Sequence, residues 1–208
     1  MTGESHPVIR QASAGDWLAI RDLCCLTGDA GEPIARERWR FFAELWIGPY
    51  ERLAPDWTFV AEAADRLAGY LTGCPDTAAF ERARAFRITL PLLVRVAAGR
   101  YGWTDDTRRF VRRAFGLARL PEDRFPPRLR ADYPAHLHMN VADGFRGRGI
   151  GAGLLTRYLE ALREHGVSGV HLFCGPGPLR LYQRRGFEEV GHLDLQGGLR
   201  VFALTRGV

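Results

Sequence analysis

The sequence predicts an α+β fold. Three observations carry this expectation: β-type runs concentrate at the two ends of the chain, a helical stretch lies between them, and no segment repeats another. A length of 208 residues is enough for one domain with a full core. The expectation is therefore one domain over residues 1–208, with a helical insert at about 76–134.

The elements follow in order. Val8–Ala12 is a short β-type run, and Ser13 suits the N-cap of a helix over Ala14–Leu26. In that helix Trp17, Leu18, Ile20, Leu23 and Cys24 recur at helical spacing. Thr27–Pro33, rich in Gly and Asp, reads as a loop. Ile34–Trp46 reads as a second helix, with Trp39, Phe42, Ala43 and Trp46 on one side, and Gly48-Pro49 is expected to stop it. Thr58–Glu62 and Leu67–Thr72 read as strands joined by a hairpin turn at Ala64-Asp65-Arg66. Thr77–Phe86 reads as a helix; Ile88–Val96 is apolar but interrupted by Pro91, which leaves its element open. Asp105–Ala118 reads as a helix capped by Thr104. Phe110, Ala114, Phe115 and Ala118 are expected to face inward, with Arg108, Arg109, Arg112 and Arg113 opposite. Pro121, Pro126 and Pro127 predict an irregular stretch after it. The last third is the most regular. Ala135–Val141 reads as a strand, Ala142–Arg148 as a loop, Gly149–His165 as a helix, Gly169–Cys174 as a buried strand and Pro178–Arg185 as a short helix. Glu188–Leu195 and Leu199–Thr205 close the chain as strands joined by Gln196-Gly197-Gly198.

Composition narrows the function. The hydrophobic fraction of 46% and charged fraction of 25% are ordinary for a globular protein. No apolar stretch approaches the roughly 20 residues of a membrane helix, and Met1–Pro7 lacks the apolar core of a signal peptide. A cytoplasmic location is the resulting expectation. Cys24, Cys25, Cys74 and Cys174 have no metal-ligand spacing and read as reduced structural thiols. The net charge of +5 is built from arginine without a single lysine, which excludes Schiff-base catalysis by this chain. Charge is uneven: between Arg108 and Arg130 eight arginines face two acids, a local +6. Such a segment favours an anionic partner. Nucleic acid is not expected, because no motif that reads it is present.

The most informative stretch is Arg146-Gly147-Arg148-Gly149-Ile150-Gly151-Ala152, which follows a strand and opens a helix. Glycines let a backbone approach a ligand without a Cβ in the way. The first turn of a helix offers free N–H groups and the positive end of its dipole. Together they form a cradle suited to a pyrophosphate. The spacing does not fit G-x-G-x-x-G, and no lysine can complete a Walker loop. What remains is R-x-x-G-x-G after a strand ending in Val141.

Val141-Ala142-Asp143-Gly144-Phe145-Arg146-Gly147-Arg148-Gly149-Ile150-Gly151 resembles the coenzyme A signature of the GNAT acetyltransferase superfamily. Leu181-Tyr182-Gln183-Arg184-Arg185-Gly186-Phe187 resembles its second signature, L-Y-x-x-x-G-F. Asp143 stands where the first signature usually has proline, and Gly175 where an asparagine is common. The resemblance implies a GNAT fold: a central mixed, mostly antiparallel sheet flanked by helices, here with a helical insert before the fourth strand. It also implies acetyl-CoA as cofactor. The strand end at Met139, Asn140 and Val141 would bond the pantetheine arm through its backbone, and N–H groups from Arg146 to Ala152 would hold the pyrophosphate. Val8-Ile9-Arg10-Gln11-Ala12, Cys25-Leu26-Thr27-Gly28-Asp29-Ala30-Gly31, Gly48-Pro49-Tyr50 and Tyr133-Pro134-Ala135-His136-Leu137-His138 look like the acetyltransferase-like domain of O-GlcNAcase and its stand-alone bacterial relatives. In the animal enzyme that domain is regarded as a pseudo-acetyltransferase. Two functions are therefore weighed: acetyl transfer to a primary amine, small molecule or protein lysine, and an acetyl-CoA-binding interaction module without catalysis. A homodimer is possible under either.

Acetyl transfer needs a deprotonated amine, a polarised thioester and a proton for the leaving thiolate. Tyr182 occupies the family's position for the thiolate acid. His136 and His138 alternate with Leu137 and so share one face of the strand, as candidate bases, with Asn140 on the same side. The alternative is that one or both histidines make buried structural hydrogen bonds. His6, His165, His171 and His192 have no motif context. Asp29 and Glu32 lie in the early loop that often shapes a GNAT acceptor site, where a carboxylate would attract a cationic amine. Trp39, Trp46, Trp57 and Trp103 could line a groove, with core packing the better reading for most of them. The arginine-rich insert is expected to flank the acceptor or the outer cofactor site.

Overall fold

The computed structural model describes residues 7–29, 31–101, 108–109, 111–112, 128–194, 198 and 200–208. A seven-stranded sheet runs in the order β1-β2-β3-β4-β5-β7-β6. Its strands are β1 (Val8–Gln11), β2 (Thr58–Ala63), β3 (Arg66–Cys74), β4 (Ala135–Val141), β5 (Gly169–Cys174), β6 (Glu188–Asp194) and β7 (Arg200–Gly207). Every neighbouring pair is antiparallel except β4–β5, which is parallel. The sheet is thus mixed and mostly antiparallel, as expected.

Helices cover both faces. On one lies α7 (Ile150–Glu164), whose Leu154, Leu155, Tyr158, Leu159 and Leu162 pack with Phe59, Leu71, Leu137, Val170, Leu172 and Leu204 of five strands. Close approach is set by two glycines. A Cβ on Gly73 would run into the Tyr158 ring, and one on Gly153 into Ile9. On the other face lie α1 (Trp17–Leu26), α2 (Trp39–Trp46) and α3 (Gly48–Leu53). There Ile20, Leu23, Cys24 and Ile47 pack with Val60 and Tyr70.

The hairpin between β2 and β3 is tighter than the sequence implied. Arg66 already pairs with Ala63, so Ala64 and Asp65 alone make the turn, with φ of 50° and 55°. Positive φ at both central residues matches the twist of the flanking strands.

The second helix ends at Trp46, as expected, but Gly48-Pro49 at once opens another; Pro49 lies in the first turn of α3, where its missing N–H has no helical partner to lose. Ile88–Val96, left open by the sequence, is helical. After α4 (Thr77–Arg84) a π-turn over Ala85–Thr89 leads into α5 (Leu90–Ala97), and the Leu90 N–H reaches the Ala85 carbonyl five residues back. The widened turn accommodates Pro91 just beyond it. Leu92 and Val96 then pack on Phe41 and Leu45 of α2.

The helix expected over Asp105–Ala118 lies mostly outside the described residues. Arg108, Arg109, Val111 and Arg112 are helical, with the three arginines exposed. Val111, not among the residues expected inward, is buried with Leu92 and Phe41. Phe110, Ala114, Phe115 and Ala118, with Thr104, Trp103, Arg113 and His6, lie outside the described residues, as do the three prolines from Pro121 to Pro127. The stretch expected to be irregular ends in a short helix, α6 (Arg128–Asp132). Of the turn Gln196-Gly197-Gly198 only Gly198 is described, at φ 78°.

Candidate active site

The site grows from β4. Ala135 and Leu137 are buried against α7, while His136, His138 and Asn140 turn toward α2, α3 and β3. Both histidines share one face, as the alternation predicts. β4 pairs with β3 from His136 to Val141 but with β5 only at Ala135 and His136. From Leu137 to Val141 its second edge has no ladder partner among the described residues.

Beyond that open edge the chain makes a 3₁₀ turn over Asp143–Phe145 and enters the glycine loop. Gly147 and Gly149 take φ of 76° and 81°, a region that favours glycine. Among the described residues nothing lies within 4 Å of where their Cβ atoms would be. They are required by backbone conformation and leave open space in front of the N-terminus of α7, which Gly149 caps. Gly151 serves differently: its Cβ would lie 3.2 Å from Leu181 Cδ2 and 3.4 Å from Met139 Cε. That close contact seats α8 (Leu179–Arg184) and the end of β4 on the first turn of α7. Ile150 is buried beneath. The residues present therefore fit a pyrophosphate-bearing cofactor: free helix N–H groups face a space that any Cβ at positions 147 and 149 would enter.

Arg146 is engaged within the protein. Its Nη1 pairs with Asp143 Oδ1 at 3.0 Å, its Nε donates to the Val141 carbonyl at 3.2 Å, and its Nη2 donates to the Gly31 carbonyl at 3.3 Å. Gly31 lies between Asp29 and Glu32, whose backbones bond each other reciprocally at 2.9 Å. The loop carrying these two exposed carboxylates is thus brought to the glycine loop. Arg148 is exposed, its guanidinium 5.8 Å from the Phe145 ring.

Tyr182, on α8, is 4% exposed and packs edge-on to Phe187. Burial raises its phenol above the usual range, with Cys174 adding to the shift. His138 stacks beside Trp46 and tilts against Tyr70. Burial pulls its imidazole down to about 4. His136 is held at both ring nitrogens: the Tyr50 hydroxyl lies 2.9 Å from Nε2 and Thr77 Oγ1 2.9 Å from Nδ1. Asn140 Nδ2 donates to the Tyr70 hydroxyl at 3.0 Å. The partners Tyr50 and Tyr70 and the hydroxyl of Thr77 were missed in the sequence, since they come from segments far from β4; Trp46, one of the tryptophans weighed as groove-lining, does lie beside His138. Trp57 packs against Tyr158 and His165 instead, away from this face, and Trp39 packs in the cluster around Cys25. All four cysteines are free, and burial pushes their thiols up to about 12.

A family profile described as Acetyltransferase (GNAT) domain matches residues 113–189, a span that holds β4, the glycine loop, α7, β5 and α8. A solved structure of the protein SsHAT is 30% identical, with 98% of each chain covered and a TM-score of 0.73. The chain belongs to the GNAT acetyltransferase family. Another solved structure, of a protein described as an acetyltransferase, is 25% identical over 97% of this chain and 99% of its own, with a TM-score of 0.58. The polyamine N-acetyltransferase of Drosophila melanogaster, 18% identical with a TM-score of 0.54 over 98% of this chain and all of its own, shares the GNAT fold. Among the described residues no helix is long and apolar enough to cross a membrane.

Proposed function

We propose that this GNAT protein transfers an acetyl group from acetyl-CoA to a primary amine. The observation that carries the reading is the open cradle at Gly147 and Gly149, set at the helix N-terminus of α7 and beside the unpaired edge of β4. Backbone N–H groups between Arg146 and Ala152 would hold the pyrophosphate, and the open edge from Met139 to Val141 would take the amides of the pantetheine arm. Bound there, acetyl-CoA supplies an activated acyl group. Tyr182, kept protonated by burial, donates its hydroxyl proton to the departing sulfur. His138 is uncharged at neutral pH and can accept a proton from the amine, directly or through a water. His136, bonded at both nitrogens, is better suited to bracing β4 than to proton transfer. Asp29 and Glu32 would attract a cationic acceptor.

The test is incubation of the purified protein with acetyl-CoA and a panel of a polyamine, an arylalkylamine and a lysine peptide, with products read by mass spectrometry. Acetylated product supports the reading. A rise in melting temperature with CoA but no acetylated amine would leave a cofactor-binding module without turnover. A flat melting curve at millimolar CoA would remove the cofactor assignment, since a ligand at 100 times its Kd should add about 2.7 kcal/mol.

A further inference from the structure

Arg146 connects three separate parts of the site. Its Nε bonds the carbonyl of Val141 at the end of β4, its Nη1 holds Asp143 at the start of the glycine loop, and its Nη2 reaches the carbonyl of Gly31, 115 positions away. Asp143, which departs from the family's usual proline, supplies the carboxylate that orients the guanidinium. The Gly31 side is built to receive it. Gly31 has φ 106°, and a Cβ there would lie 3.4 Å from Nη2, so a bare backbone faces the planar group. The turn around Gly31 is itself closed by the reciprocal Asp29–Glu32 bonds and tied to Thr27, whose carbonyl accepts from the Gly31 N–H at 3.3 Å. A guanidinium committed to three oxygens in fixed directions is a strut, because its planar fork loses little freedom per bond formed.

We infer that Arg146 is a positioning residue that couples occupancy of the glycine loop to the placement of the Asp29–Glu32 turn. The inference rests on the cofactor reading above. Phosphates held by the backbone from Arg146 onward fix the Cα of Arg146, and the side chain transmits that fixation across to Gly31. Coupling of this kind is reciprocal: whatever steadies the turn also favours the loaded loop. The side chain thus acts on the acceptor side while the backbone of the same residue acts on the cofactor side.

Hydrogen exchange at the Gly31, Glu32 and Ile34 amides, with and without CoA, tests this in the full-length protein. In the wild type CoA should slow exchange at these amides several-fold. In Arg146→Gln, which keeps the backbone, CoA should still raise the melting temperature but leave exchange there unchanged. Arg146→Lys, able to reach one oxygen but not three, should fall between. Gly31→Ala, which strains the turn through its positive φ but keeps the accepting carbonyl, should weaken the effect of CoA on exchange there without abolishing CoA binding. Equal protection by CoA in wild type and Arg146→Gln would overturn the inference. So would loss of CoA binding in both Arg146 variants, which would make the side chain a phosphate ligand. Should CoA fail to bind the wild type, the proposed function falls by itself. The strut is then judged in the ligand-free protein: faster exchange at Gly31 and Glu32 in Arg146→Gln upholds it, and unchanged exchange removes it.

Discussion

The imidazole of His138 lies beside the indole of Trp46, with ring centroids 6.4 Å apart and planes within 26° of parallel. Tyr70 encloses it further, its centroid 6.1 Å away. Desolvation between these rings holds the imidazole neutral, down to about 4. Above the unfolded value of about 6.5 both folded and unfolded chains carry a neutral imidazole, so His138 adds no pH dependence there. As pH falls from about 6.5 toward 4, the unfolded chain takes up a proton that the folded one excludes, and stability is lost through that window. His138→Gln should therefore flatten the decline in denaturation midpoint between about pH 7 and pH 4.5. An NMR titration should place the His138 midpoint near 4, and Trp46→Ala should move it upward. A midpoint at the solution value would contradict the enclosure.

The two kinds of glycine in the loop region can be separated by alanine. Gly149→Ala should cost about 1–2 kcal/mol through its positive φ alone, since no atom stands near the new methyl. Gly144→Ala has equally open space and no positive φ, and should stay within about 0.5 kcal/mol of wild type. Chemical denaturation of the two variants checks the difference. Gly149→Glu, which adds bulk and negative charge to the cradle, should in addition abolish the CoA-induced rise in melting temperature.

Tyr182→Phe should lower turnover at least tenfold while leaving CoA affinity within about twofold, because the hydroxyl acts mainly as the sulfur departs. Single-turnover rates and calorimetric CoA titration give the two numbers. Equal rates with chemistry limiting would assign Tyr182 to packing with Phe187.

His136→Ala should destabilise the fold by about 1–3 kcal/mol, since it strands the hydroxyl of Tyr50, while that of Thr77 keeps the Pro134 carbonyl. His138→Ala should cost less stability and more activity. Urea titrations alongside acetyl-transfer rates would distinguish the two, and the reverse ranking would exchange their roles.

What the sequence disclosed, and what it withheld, follows the range of each interaction. The glycine loop was legible because positive φ and helix entry are demands of consecutive residues. The common face of His136 and His138 was legible because strand alternation is local. Which of the two is hydrogen-bonded was not, since Tyr50 and Thr77 lie 86 and 59 positions away. Pro91 left its segment open because a proline reads as a breaker, whereas the π-turn before it absorbs it; Pro49 does follow the end of α2 but starts a new helix that no residue before it announces. The contact from Arg146 to Gly31 left no signal either, because a backbone carbonyl as partner places no demand on residue type.

The opening between β4 and β5 also bears on how the protein unfolds. With only two residue pairs joining them, the strands form two ladders, β1 to β4 and β5 to β7, with little hydrogen bonding between. Cooperativity between the ladders then rests on the core they share under α7, where Leu155, Tyr158 and Leu162 cluster with Leu71 and Leu137 of one and Val170, Leu172 and Leu204 of the other. Thinning that helix, as in Leu162→Ala, would do more than lower a melting temperature. The ladders would begin to melt as separate units, and a single sharp transition would broaden or split.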